Sequence, residues 1–170
     1  EESARLSQYF SSKIIKISDD NGIEIPGIIK YLQDNLYLAK IKRKTIKTNI
    51  RLTDNEINEI IKNNKISKEY INRLSQNGWR NVQIINEIKE AVNDRKDPTL
   101  VFSNSVEHAI IIKLLLQKEE IISDYILGET LPQKRNILID KFKSNELPVL
   151  INYGVLREGF DAPNIKTLVI

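Results

Sequence analysis

The run Val149-Leu-Ile-Asn152-Tyr153-Gly-Val-Leu-Arg-Glu-Gly159-Phe-Asp161-Ala-Pro163 opens as a buried strand and breaks into a polar stretch that contains glycine. A strand that delivers such a stretch to one edge of a parallel sheet is a common way to build a phosphate or nucleotide site. Gly159 lets a backbone N–H approach an oxyanion closely. Asp161 can accept hydrogen bonds from ribose hydroxyls or from an arginine. The plain alternative is that Gly159 caps a helix and Asp161-Ala-Pro163 is a turn. Two more polar turns follow apolar runs: Ser103-Asn104-Ser105 after Thr99–Phe102, and Gly128-Glu129-Thr130 after Ile121–Leu127.

The elements that must position these turns are legible from residue 97 onward. Thr99–Phe102, Ile121–Leu127, Leu147–Asn152 and Leu168–Ile170 are short apolar runs, as expected of strands covered on both faces. Ser103-Asn104-Ser105 turns and caps a helix running to about Lys118, with Ala109, Ile112, Leu115 and Leu116 inward. Pro132 starts a second helix, carrying Ile137, Leu138, Ile139 and Phe142, and Ser144-Asn145-Glu146 ends it. Strand, helix, strand, helix, strand with short connections predicts right-handed parallel crossovers in a doubly wound α/β unit over 97–170. In such a sheet the three polar turns fall at the carboxyl ends of their strands, where ligands bind.

The first half reads as more mixed. Glu1–Phe10 is predicted as a short helix, Lys13–Ile17 as a short strand, and Pro26 as the first turn of a helix to about Asn35. Residues 36–51 are predicted extended and alternating, with a dense basic group of Lys40, Lys42, Arg43, Lys44 and Lys47; the choices are a solvated sheet face or phosphate contact. Thr53-Asp-Asn-Glu56 forms a capping-box pattern before a helix that Asn63-Asn64 breaks. Ser67 caps another helix, for which Asn77-Gly78 reads as the stop. Trp79–Asp94 has Val82, Ile85, Ile88 and Val92 at helical spacing, with Trp79 read most simply as a packing anchor and base stacking as the alternative. The expected organisation is an entry segment over 1–53 with a short helix and extended strands, a helical connector over 54–96, and an α/β core over 97–170 that is incomplete at its C-terminus.

Composition limits the chemistry. Cysteine is absent and histidine occurs once, which removes disulfides, thiolate nucleophiles and thiolate metal sites, and leaves little for a zinc site or a Ser-His-Asp triad. With 26 Lys and Arg against 23 Asp and Glu, the charge of +3 allows nucleic-acid contact without demanding it. No apolar run approaches the roughly 20 residues that cross a membrane, and the start resembles no secretory signal; the expectation is a cytoplasmic protein. No Met is present and the chain stops within an apolar run, so a piece of a longer polypeptide is expected. The dinucleotide fingerprint Gly-x-Gly-x-x-Gly is missing, which argues against a dinucleotide enzyme.

Asn152–Pro163 resembles motif V of superfamily 2 helicases and translocases, in the form ending Glu-Gly-Phe-Asp-Ala-Pro found in restriction-type and repair-type enzymes. Thr99–Ala109, with Phe102, Ser103, His108 and Ala109, resembles motif IV, and Gly128-Glu-Thr130, Arg135 and Phe142 resemble the block that follows it. Their order fits the C-terminal RecA-like lobe of such a motor; Pro26 and Tyr37-Leu38-Ala39 resemble the passage between lobes. The resemblance implies a RecA-like parallel sheet with helices on both faces, preceded by a partly helical N-terminal connector. It implies the second lobe of an ATP-dependent helicase or translocase acting on nucleic acid, DNA preferred over RNA. Gly159 and Asp161 would face the nucleotide cleft. Ser103, Gly128, Thr130, Asn152 and Tyr153 would meet the nucleic-acid backbone. Tyr153 stands where many relatives have Thr. His108 is read as a packing histidine.

ATP and Mg²⁺ would be the cofactors of the full-length protein, with the N-terminal lobe of the same polypeptide as partner. This chain has no phosphate loop, no Asp-Glu motif for Mg²⁺ and no Gln-x-x-Gly-Arg motif, so no catalytic residue and no ATP hydrolysis are expected of it alone. A non-enzymatic α/β module binding nucleic acid or protein is the alternative. A small phosphate-ligand enzyme of the response-regulator or flavodoxin kind is a weaker third reading, because an acidic pocket and an early glycine loop are not evident.

Overall fold

A computed structural model describes residues 27–35, 37–156, 160 and 162–170. The expected first helix, the strand at Lys13–Ile17 and the roles of Pro26, Gly159 and Asp161 fall outside the described residues. The chain divides into two compact units, Glu1–Thr45 and Ile46–Ile170.

In the first unit, α1 (Ile28–Asp34) starts after Gly27, whose φ of 69° is a conformation that glycine adopts without steric cost. Lys40 pairs with Asp34 at 2.9 Å, and Gln33 Nε2 donates to Ala39 O. The extended strands expected over 36–51 do not form among the described residues. Leu38 and Ile41 are exposed; alternation alone cannot hold a strand without a neighbour to complete its ladder.

The second unit is built on four parallel strands: β1 (Thr99–Phe102), β2 (Ser123–Ile126), β3 (Val149–Asn152) and β4 (Thr167–Val169), in the order β2-β3-β1-β4. The two inner strands are the most apolar and the most buried, since helices cover both faces. Successive side chains take opposite faces. Val101, Val149 and Ile151 pack with Ile85 and Ile88 of α4 (Gly78–Lys89) and with Ala109, Ile112 and Leu116 of α5 (Val106–Lys118). Leu100, Leu150 and Ile126 pack on the other face with Leu138 and Phe142 of α6 (Pro132–Lys143). The fold is therefore the expected α/β, RecA-like parallel sheet with helices on both faces. Among the described residues no helix is long and apolar enough to cross a membrane.

The helical block preceding the sheet differs from its reading in three ways. First, α2 (Asp54–Asn63) and α3 (Lys68–Gln76) have their predicted caps, and Asn64 ends α2 in the left-handed region. Asn77-Gly78 is the expected stop of α3 and does more than stop it: Asn77, extended, also accepts a hydrogen bond from Arg80 N and so starts α4. Second, α4 runs into a π turn, Glu90–Asp94, before the sheet. Third, the block is not separable from the sheet at residue 96, because Ile85, Ile88 and Ala91 are core residues.

Candidate nucleic-acid edge

The three polar turns leave the sheet at one level. Phe102, Asn152 and Ile126 are register partners across β1, β3 and β2, so each following turn starts from the same carboxyl edge, with the β3 turn in the middle. Backbone bonds join them: Ser103 N donates to Asn152 O at 2.9 Å, and Tyr153 N to Ile126 O at 3.1 Å.

Asn152 faces inward. It is 1% exposed; its Oδ1 accepts from Val155 N (3.3 Å) and Leu156 N (2.8 Å), and its Nδ2 donates to Leu156 O. This closes the turn in which Gly154 has φ 71°. The side chain thus shapes the edge while Tyr153, 37% exposed, stands at the surface. Ser103 Oγ donates to Asn152 O at 3.2 Å, which occupies its proton. Thr130 is arranged differently: its Oγ1 accepts from Leu127 N (2.9 Å), its N–H donates back to Leu127 O, and the hydroxyl proton remains available among the described residues. Arg135 Nη2 donates to Thr130 O and ties the turn to α6. Gly128 is exposed, with nothing within 4 Å of where a Cβ would sit, so its backbone is open to solvent.

Beneath Ser103-Asn104-Ser105 lies a buried polar network. Asn104 N donates to His108 Nδ1 (3.1 Å), so the proton of the neutral ring sits on Nε2, which donates to Asn81 Oδ1 (3.1 Å). Asn81 Nδ2 donates to Ser75 O. Ser75 Oγ donates to Ile71 O, leaving Ser105 Oγ to donate to Ser75 Oγ at 3.3 Å and to accept from His108 N. Arg80 Nη1 lies 3.2 Å from the protonated Nε2; two donors face each other there, so the guanidinium acts through its charge. Burial, then Arg80, pushes His108 down to about 4. His108 is thus a satisfied packing histidine.

Ser75 and Asn81 escaped the reading of the sequence. A signal was present: Asn81, Ile85 and Ile88 follow the i, i+4, i+7 spacing of one helical face, so a polar residue on that face needed a buried partner.

A cavity of about 600 Å³, lined by Lys96, Asp97, Pro98, Pro148 and Lys166 among others, opens at the amino ends of the strands. Ligands of parallel sheets are held at the opposite edge.

Among known proteins, Schizosaccharomyces pombe irc3, named as a mitochondrial ATP-dependent helicase, is 40% identical over 73 residues, covering 43% of this chain and 12% of that protein. A protein of Sulfolobus islandicus filamentous virus named as helicase 22 is 25% identical over 83% of this chain and 25% of its own length. Among solved structures, the Pyrococcus furiosus Hef helicase domain is 24% identical with a TM-score of 0.47, covering 65% of this chain and 25% of that one. The chain therefore spans a minor part of the relatives it matches. The helicase conserved C-terminal domain model matches residues 81–170, just over half of the chain, from within α4 through the whole sheet and its carboxyl-edge turns. The chain belongs to the helicase conserved C-terminal domain family.

Proposed function

We propose that this chain is the second motor lobe of an ATP-dependent helicase or translocase and that the carboxyl edge of its sheet follows a nucleic-acid backbone. The observation that carries the reading is the common level of the three polar turns, set by the register of Phe102, Asn152 and Ile126. Phosphate contact there needs donors. Thr130 offers a hydroxyl proton, Gly128 an open backbone, and Tyr153 an exposed phenol. Ser103 would have to rotate its hydroxyl away from Asn152 O to join them. Asn152 serves by holding the turn. Gly159 and Asp161 are assigned to the nucleotide side of the lobe from the motif alone. In the whole protein, ATP with Mg²⁺ would sit between this lobe and an N-terminal lobe, and closure on ATP would move the pair along the strand. DNA is the preferred substrate, and the cytoplasm the expected location.

The test is binding of labelled single-stranded oligonucleotides at several salt concentrations. Sequence-tolerant binding whose log Kobs falls linearly with log salt is expected. Strongly sequence-specific, salt-insensitive binding would remove the motor reading in favour of a recognition module. In a two-lobe protein, Asp161→Ala should abolish nucleic-acid-stimulated ATP hydrolysis while binding persists.

A further inference from the structure

Trp79 reads from sequence as a packing anchor with base stacking as the alternative, and at 48% exposed it is not a core residue. Its indole borders a cleft of about 460 Å³ lined also by Asn49, Ile50, Arg51, Arg73, Gln76 and Asn77. That volume lies in the range of small-ligand sites. By residue type the lining combines the half-exposed Trp79, Ile50, two arginines and three carboxamide residues, with no acidic residue. The two cations are not equivalent. Arg73 is paired with Glu56 at 2.6 Å and also donates to Arg51 O, which fixes the wall. The Arg51 guanidinium is exposed and has no carboxylate within 4 Å among the described residues. Asn77 is held by its cap to Arg80 N, so the cleft is framed on a rigid helix junction.

We propose that this cleft takes an unpaired base of a single-stranded nucleic acid, stacked on Trp79, with Arg51 on the adjacent phosphate. An indole face accepts any base, carboxamides can meet base edges, and an unpaired guanidinium suits a phosphate. The proposal rests on the nucleic-acid reading above and extends it away from the sheet edge, to the junction of α3 and α4. An apolar protein partner is disfavoured, because cations and amides line the cleft.

Trp79 is the sole tryptophan, so its fluorescence reports the site directly. The 170-residue chain is titrated with oligodeoxythymidylate, with oligouridylate, and with an abasic oligomer of equal length. Anisotropy of a labelled strand measures binding independently. Saturable quenching with both base-bearing strands and none with the abasic strand is expected; a difference between the first two distinguishes DNA from RNA. Trp79→Ala should weaken binding roughly 5- to 150-fold, while Trp79→Phe stays near the parent. Arg51→Ala should lower the salt slope by about one. Melting curves check that each variant folds. Binding by anisotropy without quenching, or with Trp79→Ala within twofold of the parent, overturns the cleft and leaves the sheet edge intact. No binding to any strand overturns the nucleic-acid reading itself.

Discussion

The sheet with α5 and α6 and the helical block before it are joined in one unit, yet different forces hold them. On the sheet, Val101, Leu150, Ile151, Ile112 and Phe142 are buried against one another. In the block, α2 has no buried residue, and Ile61 is 77% exposed. Its order comes from polar contacts: the capping box of Thr53 with Glu56, and the bridge from Glu56 to Arg73 of α3. The seam between the two regions has both kinds of contact: Ile85 and Ile88 pack on Val101 and Ile112, and beside them Ser75, Asn81, Ser105 and His108 form a buried polar network. Apolar contact is tolerant of exact geometry, whereas a buried hydrogen-bond network tolerates few arrangements. The polar network at this seam therefore holds Ser103-Asn104-Ser105 at a fixed level at the edge of the sheet.

The sharpest way to break this contrast is at the core. Phe142→Ala, at a fully buried site, should cost about 3–5 kcal/mol in urea unfolding. A cost near 1 would mean that the sheet is no better packed than the block.

Next comes the seam. His108→Gln should cost about 2–3 kcal/mol at pH 7.5, since Asn81 and Asn104 lose buried partners. It should also change the pH profile. His108 is held below its usual value, so the unfolded chain binds the extra proton; the folded form is fully favoured above about pH 6.5 and loses roughly 1.4 kcal/mol per pH unit as pH falls toward 4. The variant should lack that slope, and an unchanged profile would show that the ring is not buried as a neutral base.

Smaller effects belong to the block. Thr53→Ala removes the cap of α2 and should cost about 1 kcal/mol. The loss should appear first in hydrogen exchange of residues 54–63 and leave exchange of β1 and β3 unchanged. The Glu56 carboxyl is held below the usual range chiefly by the Thr53 N–H, so acidification should loosen the same turn. Smallest of all, Ile61→Lys should change stability by no more than about 0.5 kcal/mol. A large loss would mean that another part of the molecule covers that face.

How much of this was legible follows the same division. The four strands, α5, α6, the caps at Thr53 and Ser67 and the capping turn Ser103-Asn104-Ser105 were readable, because apolar runs and hydroxyl caps act over a few residues. The extended stretch at 36–51 was misread, since an alternating pattern states what a strand would bury and says nothing of whether a neighbour exists. Asn77-Gly78 was readable as the stop of α3; its second role as the cap of α4 was not, because Asn can end one helix and cap the next, and neighbouring chain geometry chooses.

The sequence by itself determined the family-bearing motifs, the parallel α/β class and the placing of polar turns after strands. Those depend on residue type and short spacing. Only the tertiary structure decided that Asn152 turns inward while Tyr153 turns out, that His108 joins Asn81 and Asn104, and that Trp79 borders a cleft in place of the core. Each of these depends on partners distant in the chain, brought together when helices pack on a twisted sheet, and no local pattern encodes which partner arrives.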